Sequence, residues 1–163
     1  MKKCAIILAL IALLGCASCA GGKSVDVSQT QSAAVQPGTA AEWLDYLQAN
    51  LPFDDHMAKS DNAAAVYGIL DEDGYTGDCA LLVSTMATPE EIAVFRADSV
   101  FTADDLTALA LARLARQKES FTDYAPTEVP KLDSAVVKTL GDFVIVCVCA
   151  DNAKAETLLN AYA

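Results

Sequence analysis

Apolar positions along this chain recur at helical spacing in some stretches and at every second residue in others. Thr39-Ala40-Ala41-Glu42 has the form of a capping box, with Trp43, Leu44 and Leu47 at helical spacing behind it. This predicts a helix from about 40 to 49, stopped before Pro52. Thr102-Ala103-Asp104-Asp105 opens a second helix over about 103–120, acidic at its start and carrying Arg113, Arg116 and Lys118 toward its end, as the helix dipole favours. A last helix is predicted over about 151–161. Cys79–Ser84, residues 91–97, Ala135–Lys138 and Phe143–Cys149 read as strands, the last two forming a hairpin around Gly141-Asp142. Thr88-Pro89-Glu90-Glu91 locally resembles a helix start, but Ile92, Val94 and Phe95 favour a strand after one turn. Residues 53–70 carry no decisive pattern beyond a helical turn at Ala63–Tyr67. Asp71-Glu72-Asp73-Gly74 is a turn, and Pro126 and Pro130 mark an extended connection.

The strand at 143–149 is apolar on both faces. Phe143, Ile145, Cys147 and Cys149 point one way, and Val144, Val146 and Val148 the other. Such a strand belongs in the middle of a sheet covered on both sides. The order α-β-β-α-β-β-α predicts an α+β fold: an antiparallel sheet of about four strands, with the long helix and the terminal helices packed on it.

A different pattern governs the first forty residues. Lys2 and Lys3 precede an uncharged apolar run over 4–14. The run is too short to span a bilayer, which takes roughly 20 apolar residues, and has the length of a secretory signal core. Leu13-Leu14-Gly15-Cys16 resembles the lipobox of bacterial lipoproteins. That resemblance implies cleavage after Gly15 and a diacylglycerol on the Cys16 thiol, so that residues 1–15 are a signal and the protein is held on the extracytoplasmic face of the cell membrane. The alternative is an ordinary signal cut near Ala20, leaving a soluble secreted protein. Residues 17–39 are small and polar, without apolar periodicity, and read with Cys16 as a lipidated tether of roughly 26 Å root-mean-square reach. Gly22-Lys23-Ser24 ends like a phosphate-binding loop but lacks its first glycine and a preceding strand. The Cys16–Cys19 spacing of a redox motif coincides with the lipidation site.

The remaining residues 40–163 suffice for one domain. The whole chain of 163 residues carries 22 acidic and 11 basic side chains, a net charge of −11. This excess argues against nucleic acid as a partner, because phosphate binding needs clustered Lys and Arg. No internal repeat is visible, which excludes solenoids and propellers.

From about residue 42 to 151 the chain resembles a family of Gram-positive lipoproteins known only as domain of unknown function 4358. The resemblance rests on an ordered series: Tyr67-Gly68, a strand, Glu91-Ile92-Ala93-Val94-Phe95, Arg113, Gln117, Phe121, Tyr124-x-Pro126, and Gly141 before a hydrophobic strand. It implies a location and a fold but no activity.

Chemistry must therefore be weighed residue by residue. The single histidine, His56, lies in Asp54-Asp55-His56-Met57 with no nucleophile at a recognisable spacing, and reads as a surface residue. Cys79, Cys147 and Cys149 read as buried thiols; a bridge from Cys79 would need neighbouring strands, and zinc would need His56 beside them. Asp71, Asp73 and Asp78 around Gly74 miss the glycine position of a calcium loop and read as a solvated turn. No metal and no cofactor are expected. The best candidate is on the long helix, where Arg113 and Gln117 fall in the apolar arc of Leu106, Leu109, Ala110, Leu114 and Phe121. Polar groups facing a core need partners, and Glu91 and Tyr124 are the ones expected. The arrangement reads first as a structural clamp and second as a pocket for an anionic or hydrogen-bonding ligand, with Arg116 on the opposite flank. The role expected is binding or assembly at the cell envelope, with an envelope protein or a small polar ligand as partner besides the membrane. The alternative is an envelope enzyme with an unfamiliar site. Converging polar groups in a pocket would favour the enzyme, and a shallow apolar patch the binder.

Overall fold

The computed structural model describes residues 35–163. The signal, Cys16 and all but the last residues of the tether lie outside that range. Within it, five antiparallel strands form one sheet: β1 (Ala58–Ser60), β2 (Cys79–Val83), β3 (Glu91–Arg96), β4 (Val136–Leu140) and β5 (Phe143–Val148), in the order β1-β2-β3-β5-β4. The helices are α1 (Ala40–Asn50), α2 (Ala63–Val66), α3 (Ala103–Tyr124), α4 (Val129–Asp133) and α5 (Asn152–Asn160). The fold is α+β, as expected, with five strands where about four were predicted.

Each main helix begins where its sequence places a cap. Thr39 and Glu42 close the capping box of α1, Thr102 and Asp105 that of α3, and the Asp151 side chain accepts from the Lys154 N–H at the start of α5. The α1 start is held a second way: the Ala40 N–H donates to Asp78 Oδ2 at 2.6 Å. Asp98 pins the entry to α3, accepting from Thr76 and from the backbone N–H groups of Val100 and Phe101. The Phe101 and Thr76 backbone donors hold its carboxyl well below the usual range. The β4–β5 hairpin turns at Gly141-Asp142 with φ +58° at the glycine, the left-handed first position of a type II′ turn.

Burial follows the alternation along β5. Phe143, Ile145, Cys147 and Cys149 join Trp43, Leu44 and Leu47 of α1 and Ala155 and Leu159 of α5 in one core. Val144 and Val146 join Tyr67, Phe95, Leu106 and Ala110 in a second core beneath α2 and α3. The sheet thus separates two helical layers, and β5 is buried throughout.

Three local readings need correction. The unpatterned stretch 53–70 contains the edge strand β1, whose Ala-Lys-Ser is exposed or half-exposed and offers no alternation to read. Helix α3 runs one turn past residue 120, so Arg113, Arg116 and Lys118 lie in its interior and no basic residue stands in its last turn. Pro126–Asp133 is not extended: a 3₁₀ turn at Pro126–Glu128 leads into α4, and each proline sits at the start of its turn, where the missing N–H has no bond to lose.

Candidate functional site

Strand β3 begins with a charge. Glu91 stands opposite Val83 of β2 and Val148 of β5, on the α3 face with Ala93 and Phe95, and is 1% exposed. A carboxylate buried there costs several kcal/mol unless donors surround it. Three do. The Tyr67 hydroxyl donates to Oε1 at 2.5 Å, and Arg113 Nη2 and Gln117 Nε2 donate to Oε2 at 2.9 and 3.2 Å. The α3 stripe supplies two of these, since Arg113 and Gln117 continue the face that Leu106 and Ala110 bury. Tyr67 arrives from the end of α2, its ring against Phe95 with centroids 4.7 Å apart. Burial, then the Glu91 charge, push its phenol well above the ordinary value and keep it a neutral donor.

These side chains are not fully spent on one another. Arg113 Nε and Gln117 Oε1 are buried without a partner. Both residues line a cleft of about 420 Å³ between α3, the end of β2 and the loop into β3. Val66, Leu81, Val83, Pro89 and Phe121 supply apolar wall, and Met86 stands at the loop's tip, 80% exposed and at φ +73°. Arg116 also lines this cleft instead of occupying an opposite flank.

Tyr124 does not join the cluster. It is 72% exposed and meets Phe121 edge-on, because the extra turn of α3 carries it past the end of the sheet into solvent. Tyr67 takes the place expected of it. The pairing was hard to foresee, since Tyr67 lies in a stretch without a readable pattern.

A second buried carboxylate was missed altogether. Glu90, adjacent in sequence, is also 1% exposed. It accepts the backbone N–H groups of Asp54 and Asp55 at 2.9–3.0 Å and the Thr88 hydroxyl at 3.1 Å. Lys131 of α4 lies 3.5 Å away and also pairs with Asp54 at 2.7 Å and Glu128 at 2.8 Å. Burial alone would lower the Lys131 ammonium, but hydrogen bonds to Asp54 and Glu128 and the Glu90 charge outweigh it and raise it.

The other sequence candidates do not gather. His56 is exposed in its loop. Cys79 packs against the second core, whereas Cys147 and Cys149 belong to the first, with β3 between their strands. All three are free thiols, and burial raises each above the ordinary thiol value. Asp78 is engaged with the α1 start, and Asp73 accepts from the Leu70 N–H. Among the described residues no group of His, Cys, Asp and Glu is placed to hold a metal ion, and no helix is long and apolar enough to cross a membrane.

The fold and cleft define a small α+β domain with a buried acid–guanidinium cluster beneath its long helix. The family model for the domain of unknown function 4358 matches residues 49–149, and the chain belongs to that family. No curated protein and no solved structure matches it.

Proposed function

We propose that this protein is a lipid-anchored domain on the extracytoplasmic face of the membrane, that it binds a ligand in the cleft beneath α3, and that it performs no chemistry of its own. The carrying observation is the cleft floor: a buried carboxylate fixes Arg113 and Gln117 in place while leaving a donor and an acceptor of theirs unpartnered beside an apolar wall. The anchor reading rests on Lys2, Lys3, the apolar run and Leu13-Leu14-Gly15-Cys16.

The convergence of Glu91, Arg113, Gln117 and Tyr67 favours a second reading, an envelope enzyme. Against it, both Glu91 oxygens are taken by donors. Of the hydroxyls at the cleft, those of Ser84 and Ser120 donate to backbone carbonyls and that of Thr88 to the already engaged Glu90, while that of Ser60 accepts from the Asn62 N–H.

Two measurements test the proposal. Full-length protein expressed in a lipoprotein-processing bacterium should fractionate with membranes and begin at Cys16, and Cys16→Ala should abolish both. A soluble product beginning after Ala20 would overturn the anchor. In residues 35–163, which hold every described element and both cores, the neutral apolar dye Nile red should bind with one-to-one stoichiometry. Phe121→Glu, which places a charge in the half-buried cleft wall, should abolish that binding with the fold intact. Equal dye binding by the variant would remove the cleft as the site.

A further inference from the structure

The charges around the cleft are unevenly paired. Lys59, Arg96, Lys118 and Lys131 each have a carboxylate partner within 4 Å, whereas Arg116, Lys138 and Lys154 have none among the described residues, and of these only Arg116 lines the cleft. Arg113 spends one N–H on Glu91, and no other hydrogen bond to its guanidinium is formed among the described residues. Its side chain remains 25% exposed. A guanidinium carries five donors, so most of this one is unused. Arg116, one helical turn on and exposed, has no carboxylate within ion-pairing distance among the described residues. Both line the same cleft, and residues three apart on a helix are neighbours on its surface.

Glu90 and Glu91 equal the two arginines in number, but both are buried and already hydrogen-bonded. Glu91 is paired with Arg113, and Glu90 is bonded by the Asp54 and Asp55 N–H groups and shares Lys131 with Asp54 and Glu128, so the guanidinium at the cleft without a carboxylate is that of Arg116. In a chain of net charge −11, the cleft is therefore a local site for an anion. Val66, Leu81, Val83, Pro89 and Phe121 give the cleft an apolar wall, with the exposed Met86 beside it, and Ser60, Ser84, Thr88 and Ser120 add hydroxyls to the rest of the lining. Guanidinium groups bind carboxylates in a planar, two-point fashion, and an apolar wall beside them adds area that a bare anion cannot use.

We propose that the cleft binds a small amphipathic monocarboxylate, with its carboxylate between Arg113 and Arg116 and its hydrocarbon body along Val66, Leu81, Val83 and Phe121. This inference rests on the binding reading above and specifies its ligand. One carboxylate suffices, because Glu91 already compensates one of the two guanidinium charges. The apolar body also explains Met86: an unbranched, polarisable side chain on a loop tip adapts to a hydrocarbon of variable shape.

The test compares four probes titrated into ¹⁵N-labelled residues 35–163: octanoate, octanol, octylammonium and acetate. Octanoate should shift the amides of Val66, Leu81, Val83 and Phe121 and saturate. Octanol should bind roughly tenfold more weakly, the worth of one charge-assisted hydrogen bond. Octylammonium should be weaker still, and acetate should not saturate. Arg116→Gln, at an exposed position without an ion-pair partner, should weaken octanoate severalfold, narrowing its margin over octanol to what Arg113 supplies, and change octanol far less. If octanol or octylammonium matches octanoate, or if Arg116→Gln leaves octanoate binding intact, the monocarboxylate assignment falls while the cleft as a site survives. If no probe, Nile red included, perturbs these amides, the binding reading falls with it.

Discussion

Glu90 and Glu91 are neighbours in sequence, equally buried, and satisfied in opposite ways. Glu90 is bonded chiefly by main chain, two backbone N–H groups of the 52–55 loop, and beside these by the Thr88 hydroxyl of its own loop and a lysine shared with two other acids. Every group it touches is consumed in holding loop to loop. Glu91 is bonded by side chains alone, from α2 and α3, and the residues it fixes still present donors and an acceptor at the edge of a cleft. Backbone partners lock a position and leave nothing over. Side-chain partners transmit the buried charge outward, to Arg113 and Gln117, where something else can meet them. Burial of an acid is therefore no sign of function by itself; what its partners have left to offer is.

The sharpest way to break the comparison is truncation of each acid's circle. Glu90→Ala should be the most damaging, by roughly 3–5 kcal/mol, since it strands two half-buried backbone donors and the Thr88 hydroxyl and empties a fully buried site beside Lys131. Arg113→Ala should cost less, roughly 2–3 kcal/mol, because Tyr67 and Gln117 still hydrogen-bond Glu91 and the guanidinium is a quarter exposed. Arg116→Ala should stay within about 0.5 kcal/mol, as surface changes do. Denaturant unfolding of residues 35–163 ranks the three. Equal midpoints for Arg113→Ala and Arg116→Ala would mean that the Glu91 circle has no structural weight.

A smaller effect sharpens the same contrast through pH. The folded-state pKa of Tyr67 is raised above its unfolded value of 10.0. The folded state therefore holds its proton where the unfolded state has begun to lose it. Stability from this group is intact below pH 10 and declines as pH rises beyond it. Tyr67→Phe should lower stability by about 1–2 kcal/mol at neutral pH, by removing one donor to Glu91, and should flatten part of the alkaline decline. An unchanged alkaline slope in the variant would show that Tyr67 does not titrate with unfolding. Smallest of all is an effect on the first core. Cys147 should resist a thiol-alkylating reagent in the native protein and react on unfolding, because burial keeps it protonated. Rapid labelling of native Cys147 would show that this face opens as readily as the other.

How much of this was open to reading in the sequence depends on the range of the interactions. The capping boxes of α1 and α3, the two-faced apolar run of β5 and the polar pair inside the α3 stripe are local patterns, and each is legible. So is the need of Arg113 for a partner, with Glu91 among the two acceptors or donors named. Tyr124 was misplaced because helix length, not helix phase, decides whether a residue lies over the sheet. Ala58-Lys59-Ser60 became a strand through pairing with Leu81–Val83, a long-range cause with no local trace. Glu90 escaped notice for the same reason: its partners are main-chain atoms some 35 positions away, and no side-chain pattern announces them.

The strand order carries a kinetic consequence. β4 and β5 join through a two-residue turn, and β2 and β3 through a short loop, so both pairs close cheaply. The central seam between β3 and β5 is another matter, because it joins Glu91–Arg96 to Phe143–Val148 across a segment containing the whole of α3 and β4. Closing that seam brings distant parts of the chain together before either core is complete, and such non-local contacts are what slow folding. Two preformed hairpins meeting edge to edge, with α3 already coiled between them, is the route this topology favours. Glu91 leaves water only when Tyr67 and α3 cover that face of the sheet, so the buried acid enters the protein with the step that seats α3.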